Sequence, residues 1–582
     1  HWRERAILVT RRLVMCRPAA AVLLVFLFLA CSGVSPDAAS GPEGSPEAFD
    51  IVILGGHIVD GTGNAGFPGD VGIQNDQITA ITPAGLLVNA ETELSIDATD
   101  MVVSPGFIDI QSHSRSSFLG DGDGRVVSKV TMGVTTEIMG ESTTNGPSSP
   151  AMLEAAGDAT GSTVFETFGD WMRAMESHGA SVNVGSFVGA STVRVLGKGE
   201  AMGEADAEEL ALMQDAVRQS MEDGAFGVAS ALIYPPGNFA STRELIEINR
   251  AAAPYGGVYI THLRSEADYF LEAIDEAIDI GTTAGVPIEI YHLKAGGRRN
   301  WSKASQAVAK IDSARAAGVD IQANMYPYTA GGTGLTACFP PWASADGKLF
   351  DNLADSDARM RIRAEIENQT TEWENLCTLS TPEGVLLLGF NKPDNQRYSG
   401  RYLSDISEEL GQDWIDTAFD LVLDERQRLG TIYFMMSEEN VAMQIGQPWM
   451  KFGTDAGGID PETARGLTHP RAYGTFTRIL GKYVREEGAT TLEEAVRKMS
   501  SAVATRLHIK NRGLLKEGFF ADIVVFDPNT VSDHATYDEP HQVSTGVHYV
   551  LVNGVPVVSQ GEHTDQMPGR PVYGPGWTGW DR

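Results

Sequence analysis

The chain has 582 residues, 77 acidic against 44 basic side chains, and a formal net charge of -33. That length exceeds what one small core can organise and predicts one large or two to three ordinary domains. The acidic balance excludes nucleic acid as a partner, since phosphate would be repelled, and 42% hydrophobic content excludes a disordered chain.

Residues 20–30, "AAVLLVFLFLA", are apolar over a span too short to cross a bilayer as a helix. Arg11, Arg12 and Arg17 precede the run, and the small residues Ala30, Ser32 and Gly33 flank Cys31. This is the pattern of a secretory signal over 1–33, compact if the start is Met15. "FLAC" is similar to a lipoprotein cleavage motif, with Phe28 where leucine is usual. It predicts export to the periplasm or cell surface and a lipid anchor on Cys31, the chain's one contact with a membrane; ordinary signal cleavage is the alternative. Residues 34–48, rich in Pro, Ser and Gly, read as a flexible tether. Of the four cysteines, Cys16, Cys31, Cys338 and Cys377, none forms a C-x-x-C pair, and pairing of Cys338 with Cys377 depends on an oxidising compartment that the sequence leaves open.

From Asp50 the texture is short alternating strands with Gly-Asn-Asp turns, and it returns in "ADIVVFDP" and "VHYVLVNGVPVV" near the end. Neither stretch closes a core alone, so 49–104 and 511–575 are expected to form one small β-sandwich. Between them, over 105–510, eight strand-like runs alternate with helical ones: 106–110, 134–139, 182–189, 224–230, 257–262, 287–292, 321–328 and 450–455. Eight β/α repeats predict an α/β fold of the (β/α)8 TIM-barrel class. The long gap before the eighth strand, about residues 345–430, predicts a helical insertion over the barrel mouth.

Catalysis in such barrels sits where strands end. Those ends carry His113, Glu141, His262, His292 and Asp455. A lone histidine is more often structural, and an Asp after a strand often caps a helix. Three imidazoles and two carboxylates at one mouth, however, are ligand chemistry for zinc or a similar divalent ion.

The motifs "PGFIDIQSH", "GVTTEIMGE", "SALIYPPG", "YITHLRSE", "YHLKAGG", "MYPYTAGGTGLTA", "GTDAGG" and "THPRAYGTF" occur in this order, followed by "GFFADIVVFDP" and "YVLVNG". With them the chain resembles the D-aminoacylase (N-acyl-D-amino-acid deacylase) family of the amidohydrolase superfamily over roughly residues 49–575. Two positions depart from the family pattern. Gln111 stands where the first His of an H-x-H pair is expected, and Ser142, beside Glu141, stands where a metal-binding Cys is expected. No Lys follows the fourth strand to serve as a carboxylated bridge.

The resemblance therefore implies one tight divalent ion, zinc above others, on Glu141, His262 and His292, leaving a fourth position open as catalytic sites do. His113 and Asp455 would border a weaker second position, with Asp455 as general base and then general acid, and His113 also placed to steady the oxyanion. It implies a small-molecule substrate, an N-acyl-D-amino acid, whose carboxylate meets Lys294, Tyr328 and Arg471, with Tyr234 lining the mouth. Leu335, Phe339 and Trp342 would form an apolar pocket, and Arg298 and Arg299 would face an acidic side chain. The alternatives are a dipeptidase or cyclic-amide hydrolase of the same superfamily, or a catalytically dead surface lipoprotein. Oligomeric state is left open.

Overall fold

The computed structural model describes residues 48–156, 164–368 and 373–580. The expected signal sequence, Cys31 and all but Ala48 of the expected tether lie outside the described residues. Among these residues, no helix is long and apolar enough to cross a membrane.

Eight parallel strands order the centre: β1 (Phe107–Asp109), β2 (Val134–Met139), β3 (Asn183–Ser186, resuming at Val188–Gly189), β4 (Gly227–Ala231), β5 (Val258–His262), β6 (Ile288–Ile290), β7 (Ile321–Met325) and β8 (Met450–Phe452). Each pairs in parallel with the next. A parallel bridge between Ser112 and Ala456 also sets the end of β1 beside the end of β8. Every residue of β2, β4 and β5 is buried, so no face of these strands is left to water, and their polar residues, such as Thr136 and Glu137 of β2, are buried with the apolar ones. Intervening helices bury one stripe each. Ala207–Glu222 opens with a capping box between Asp206 and Glu209 and buries Met213, Val217 and Met221.

Where one small β-sandwich was expected from 49–104 and 511–575, strands of both stretches lie along one hydrogen-bonded sheet of nine. Val102–Pro105 pairs antiparallel with Ile523–Phe526 and is the seam. Alternation explains how this sheet holds the centre. Ile523 and Val525 pack with Ile51, Ile53 and Val71, while Val524 and Phe526 turn the other way into the central core.

The segment between β7 and β8 departs from expectation. It does contain helices, Leu349–Ala354, Ser356–Glu367, Leu376–Ser380, Leu403–Leu410 and Trp414–Glu425. It also contains a four-stranded antiparallel sheet of Ala330–Gly334, Gly430–Phe434, Val385–Leu387 and Arg401–Tyr402. The apolar runs "VLLL" and "TIYF" supply its inner strands, and the helices close over it in a core of their own. A disulfide between Cys338 and Cys377 crosses this core.

Beneath the mouth, Lys129 is fully buried and joins three strands. Its Nζ donates to Asp109 Oδ2 at 2.7 Å, Thr454 Oγ1 at 2.7 Å and the Ala456 carbonyl at 2.8 Å, and lies 3.3 Å from Glu137 Oε2. Lys129→Met is expected to lower stability by about 3–5 kcal/mol, because Asp109 and Glu137 would keep buried charge with no cation. A urea unfolding midpoint equal to the parent's would contradict this.

Candidate metal centre and cavity

His113 and Glu141 follow the ends of β1 and β2, His262 ends β5, His292 follows β6, and Asp455 follows β8. All five line one cavity of about 740 Å³, with Lys294, Tyr234 and Arg471 also in its wall. Tyr328 does not line this cavity: its hydroxyl donates to the Pro470 carbonyl, and Tyr326 faces the cavity instead. The chain turns just past β7, Tyr328 N–H bonding back to the Tyr326 carbonyl, so strand parity no longer places the side chain. Of the expected apolar pocket only Phe339 lines the cavity, while Leu335 and Trp342 pack into the inserted core. Arg299 is paired with Asp268, and Arg298 lies over the Trp301 ring; neither lines the cavity.

Glu141 is the common neighbour. Its Oε1 lies 3.4 Å from His262 Nδ1 and 3.5 Å from His292 Nε2, and its Oε2 lies 3.4 Å from His113 Nε2. Gln111 occupies the position of the missing histidine and donates from Nε2 to Glu141 Oε2 at 2.6 Å. The hydroxyl of Ser142 is 2.9 Å from Ser191 Oγ, so at this turn it is Glu141 that stands among the imidazoles. His113 Nε2 is also 2.9 Å from Asp455 Oδ1, and Asp455 Oδ2 is 2.7 Å from Arg471 Nη1.

The charges hold one another. Burial opposes the Glu141 charge, but the neighbouring imidazoles of His113, His262 and His292 keep its carboxyl well below the usual range. Burial likewise disfavours a charge on Asp455, and Arg471, His292 and His113 outweigh it, so its carboxyl is lowered. Burial lowers His262. His292 (φ 30°) and Asp455 (φ 49°) sit in the left-handed region, a conformation costing of order 1–3 kcal/mol each for a side-chain-bearing residue. Asn324 Oδ1 accepting from His292 N–H, and the Gln111 carbonyl accepting from Asp455 N–H, hold them there.

One carboxylate went unnoticed in the sequence. Glu266 lies with Oε1 3.0 Å from His292 Nδ1 and Oε2 3.5 Å from His262 Nε2, and it takes the Lys294 ammonium at 2.7 Å. Each imidazole therefore has one nitrogen toward Glu141 and the other toward Glu266, the orienting arrangement that histidine ligands need. Its four-residue spacing from His262 in "THLRSE" was the available signal.

Glu141, His262 and His292 offer ligand atoms all within 4.8 Å of one another, as do His113, Glu141 and Asp455. Both ring nitrogens of His262 are buried without a hydrogen-bond partner. A buried imidazole left open beside a carboxylate fits a divalent ion, and the N, N, O donor set suits zinc or a neighbour in the series.

Comparison with known proteins gives the family. Residues 450–558 match the model of the amidohydrolase family (Amidohydro_3). D-aminoacylase of Alcaligenes xylosoxydans xylosoxydans is 33% identical over 533 residues, covering 91% of this chain and 98% of that protein. The chain belongs to the D-aminoacylase family of amidohydrolases. A solved D-aminoacylase, described as having a binuclear metal centre with one-metal activation and second-metal attenuation, superposes with a TM-score of 0.75 at 33% identity, covering 90% of this chain and all of that one. N-acyl-D-glutamate deacylase of Bordetella bronchiseptica, solved with zinc and a phosphonate mimic of the tetrahedral intermediate, gives 0.75 at 31% identity with the same coverage.

Proposed function

We propose that the protein hydrolyses the amide bond of N-acyl-D-amino acids, releasing a carboxylic acid and a free D-amino acid. The observation that carries this is Glu141 set between His262 and His292 at the bottom of a cavity that also presents Asp455, Lys294 and Arg471. The reading takes the eight parallel strands and the β1–β8 bridge as a closed (β/α)8 barrel over 105–510, flanked by a unit built from 49–104 and 511–575.

Glu141, His262 and His292 would hold one tight divalent ion, zinc by preference, and His113, Glu141 and Asp455 would border a weaker one. Such an ion supplies Lewis-acid polarisation of the amide carbonyl and acidifies water. Asp455 accepts the water proton and returns it to the departing amine nitrogen. His113, 2.9 Å away, orients the Asp455 carboxylate, and Arg471 keeps that group ionised until it is needed. Lys294 and Arg471 supply the positive wall for the substrate carboxylate, with Tyr326 between them: the Arg471 guanidinium lies 4.6 Å from its ring centre and the Lys294 ammonium 5.8 Å. Arg471 Nε is buried without a partner and has donor capacity to give. With carbonyl and carboxylate both fixed, only one hand of the α-carbon sends its side chain into the remaining space; the choice of D rests on the named relatives.

The reading also places the mature protein outside the cytoplasm, lipid-anchored through Cys31. The apolar run 20–30 supports it, and so does the Cys338–Cys377 disulfide, a bond that persists in oxidising compartments. Cell fractionation is expected to find it in the membrane or exported fraction; an intact chain in the cytoplasm would contradict the anchor.

Arg471→Ala is expected to lower kcat/KM for an acyl-D-amino acid by about 1.5–3 kcal/mol, the worth of a hydrogen bond to a charged group, with the parent preferring D over L. Parent-like hydrolysis by the variant, or an L preference, would sink this arrangement of the site.

A further inference from the structure

Glu374 belongs to the inserted segment, just before Asn375, the N-cap of the helix Leu376–Ser380, and it lines the same cavity. One of its oxygens, Oε1, accepts three hydrogen bonds from the loop after β5: Ser265 Oγ at 2.5 Å, Glu266 N–H at 2.7 Å and Ala267 N–H at 2.7 Å. Among the described residues it has no cation within ion-pair distance, and burial pushes its carboxyl up to about 7 against the pull of the Ser265 bond. A carboxylate placed so is costly unless its hydrogen bonds are used.

Its position is fixed from behind. Asn375 caps the following helix, its Oδ1 accepting from Cys377 N–H and Thr378 N–H, and Cys377 is bonded to Cys338. From the other side, Ala267 is itself buried in the inserted core. Ser265 Oγ also accepts from Tyr269 N–H at 3.0 Å, so the loop 265–269 is folded around the group that Glu374 grips. The loop's one residue pointing back to the metal centre is Glu266, whose two oxygens face His292 Nδ1, His262 Nε2 and Lys294.

We propose that Glu374 is a positioning residue for the metal centre: the inserted segment, through one carboxylate oxygen, fixes the loop whose Glu266 orients His262 and His292. Docking of the insertion and alignment of the two imidazoles are then one event. The inference rests on the reading that these histidines hold the ion.

The test compares Glu374→Ala with Glu374→Gln, whose amide oxygen accepts the same three bonds. Zinc affinity is measured by chelator competition, with kcat and KM on an N-acyl-D-amino acid alongside. Loss of a partner behind metal-binding histidines costs of order 10–100-fold. Glu374→Ala is expected to lose at least about tenfold in zinc affinity and in kcat with a much smaller change in KM, and Glu374→Gln to retain most of both. If Glu374→Ala does not fold, Glu374→Asp, too short to reach all three donors, is expected to show the same pattern more weakly. Parent-like affinity and kcat in Glu374→Ala (or in Glu374→Asp, where that variant stands in), or damage in Glu374→Gln equal to it, would overturn the proposal. A parent that binds zinc yet hydrolyses no acyl-D-amino acid would instead overturn the substrate reading, and the affinity comparison would still decide the role of Glu374.

Discussion

The buried ammonium of Lys129 is the constraint on which the site depends. It meets Asp109 at the end of β1, Glu137 on β2, and Thr454 and the Ala456 carbonyl beyond β8. Asp109 in turn accepts from Thr454 N–H and Gln111 N–H, and Glu137 accepts from the hydroxyls of Ser112 and Ser114. Strands more than 300 residues apart in sequence are thereby held at one height. Without that register His113 and Asp455 would have no reason to lie 2.9 Å apart. Breaking such a buried pair by removing one partner is costly, because the other charge is left uncompensated.

Above this floor the site is a set of opposed charges, each with a named partner. Glu141 is shared by three imidazoles and the Gln111 amide, Asp455 by His113 and Arg471, and Glu266 by Lys294 and two imidazoles. Gln111 thus donates a hydrogen bond to Glu141 from the position where the family pattern has a histidine. The two left-handed residues, His292 and Asp455, fall at the ends of the strands that supply the chemistry, where local strain is compatible with rigid support below.

Much of this was legible in the sequence, for identifiable reasons. Eight strand-like runs with helical stretches between several of them named the central strands, because alternation of short strands with helical patterns is the mark of repeated β/α units. His113, Glu141, His262, His292 and Asp455 were found because they sit at strand ends, where sequence position maps onto one rim. What lay in long-range pairing was not legible. Glu374 grips Ser265, Glu266 and Ala267 from about a hundred residues away, and no motif links them. The inserted sheet was hidden because its strands are two to five residues long, within the range where an apolar run fits either helix or strand. Tyr328 was expected at the site because the seventh strand was read as running to 328, whereas the strand ends at Met325 and Tyr326 lines the cavity.

The central claim is that Glu141 takes the place of the family's cysteine as a ligand beside His262 and His292. Crystals grown with zinc and measured at the zinc absorption edge test it most directly. The account predicts one dominant anomalous peak at about 2.0–2.2 Å from a Glu141 oxygen and from one nitrogen each of His262 and His292. A dominant peak beyond reach of Glu141, or none at this position, would contradict it.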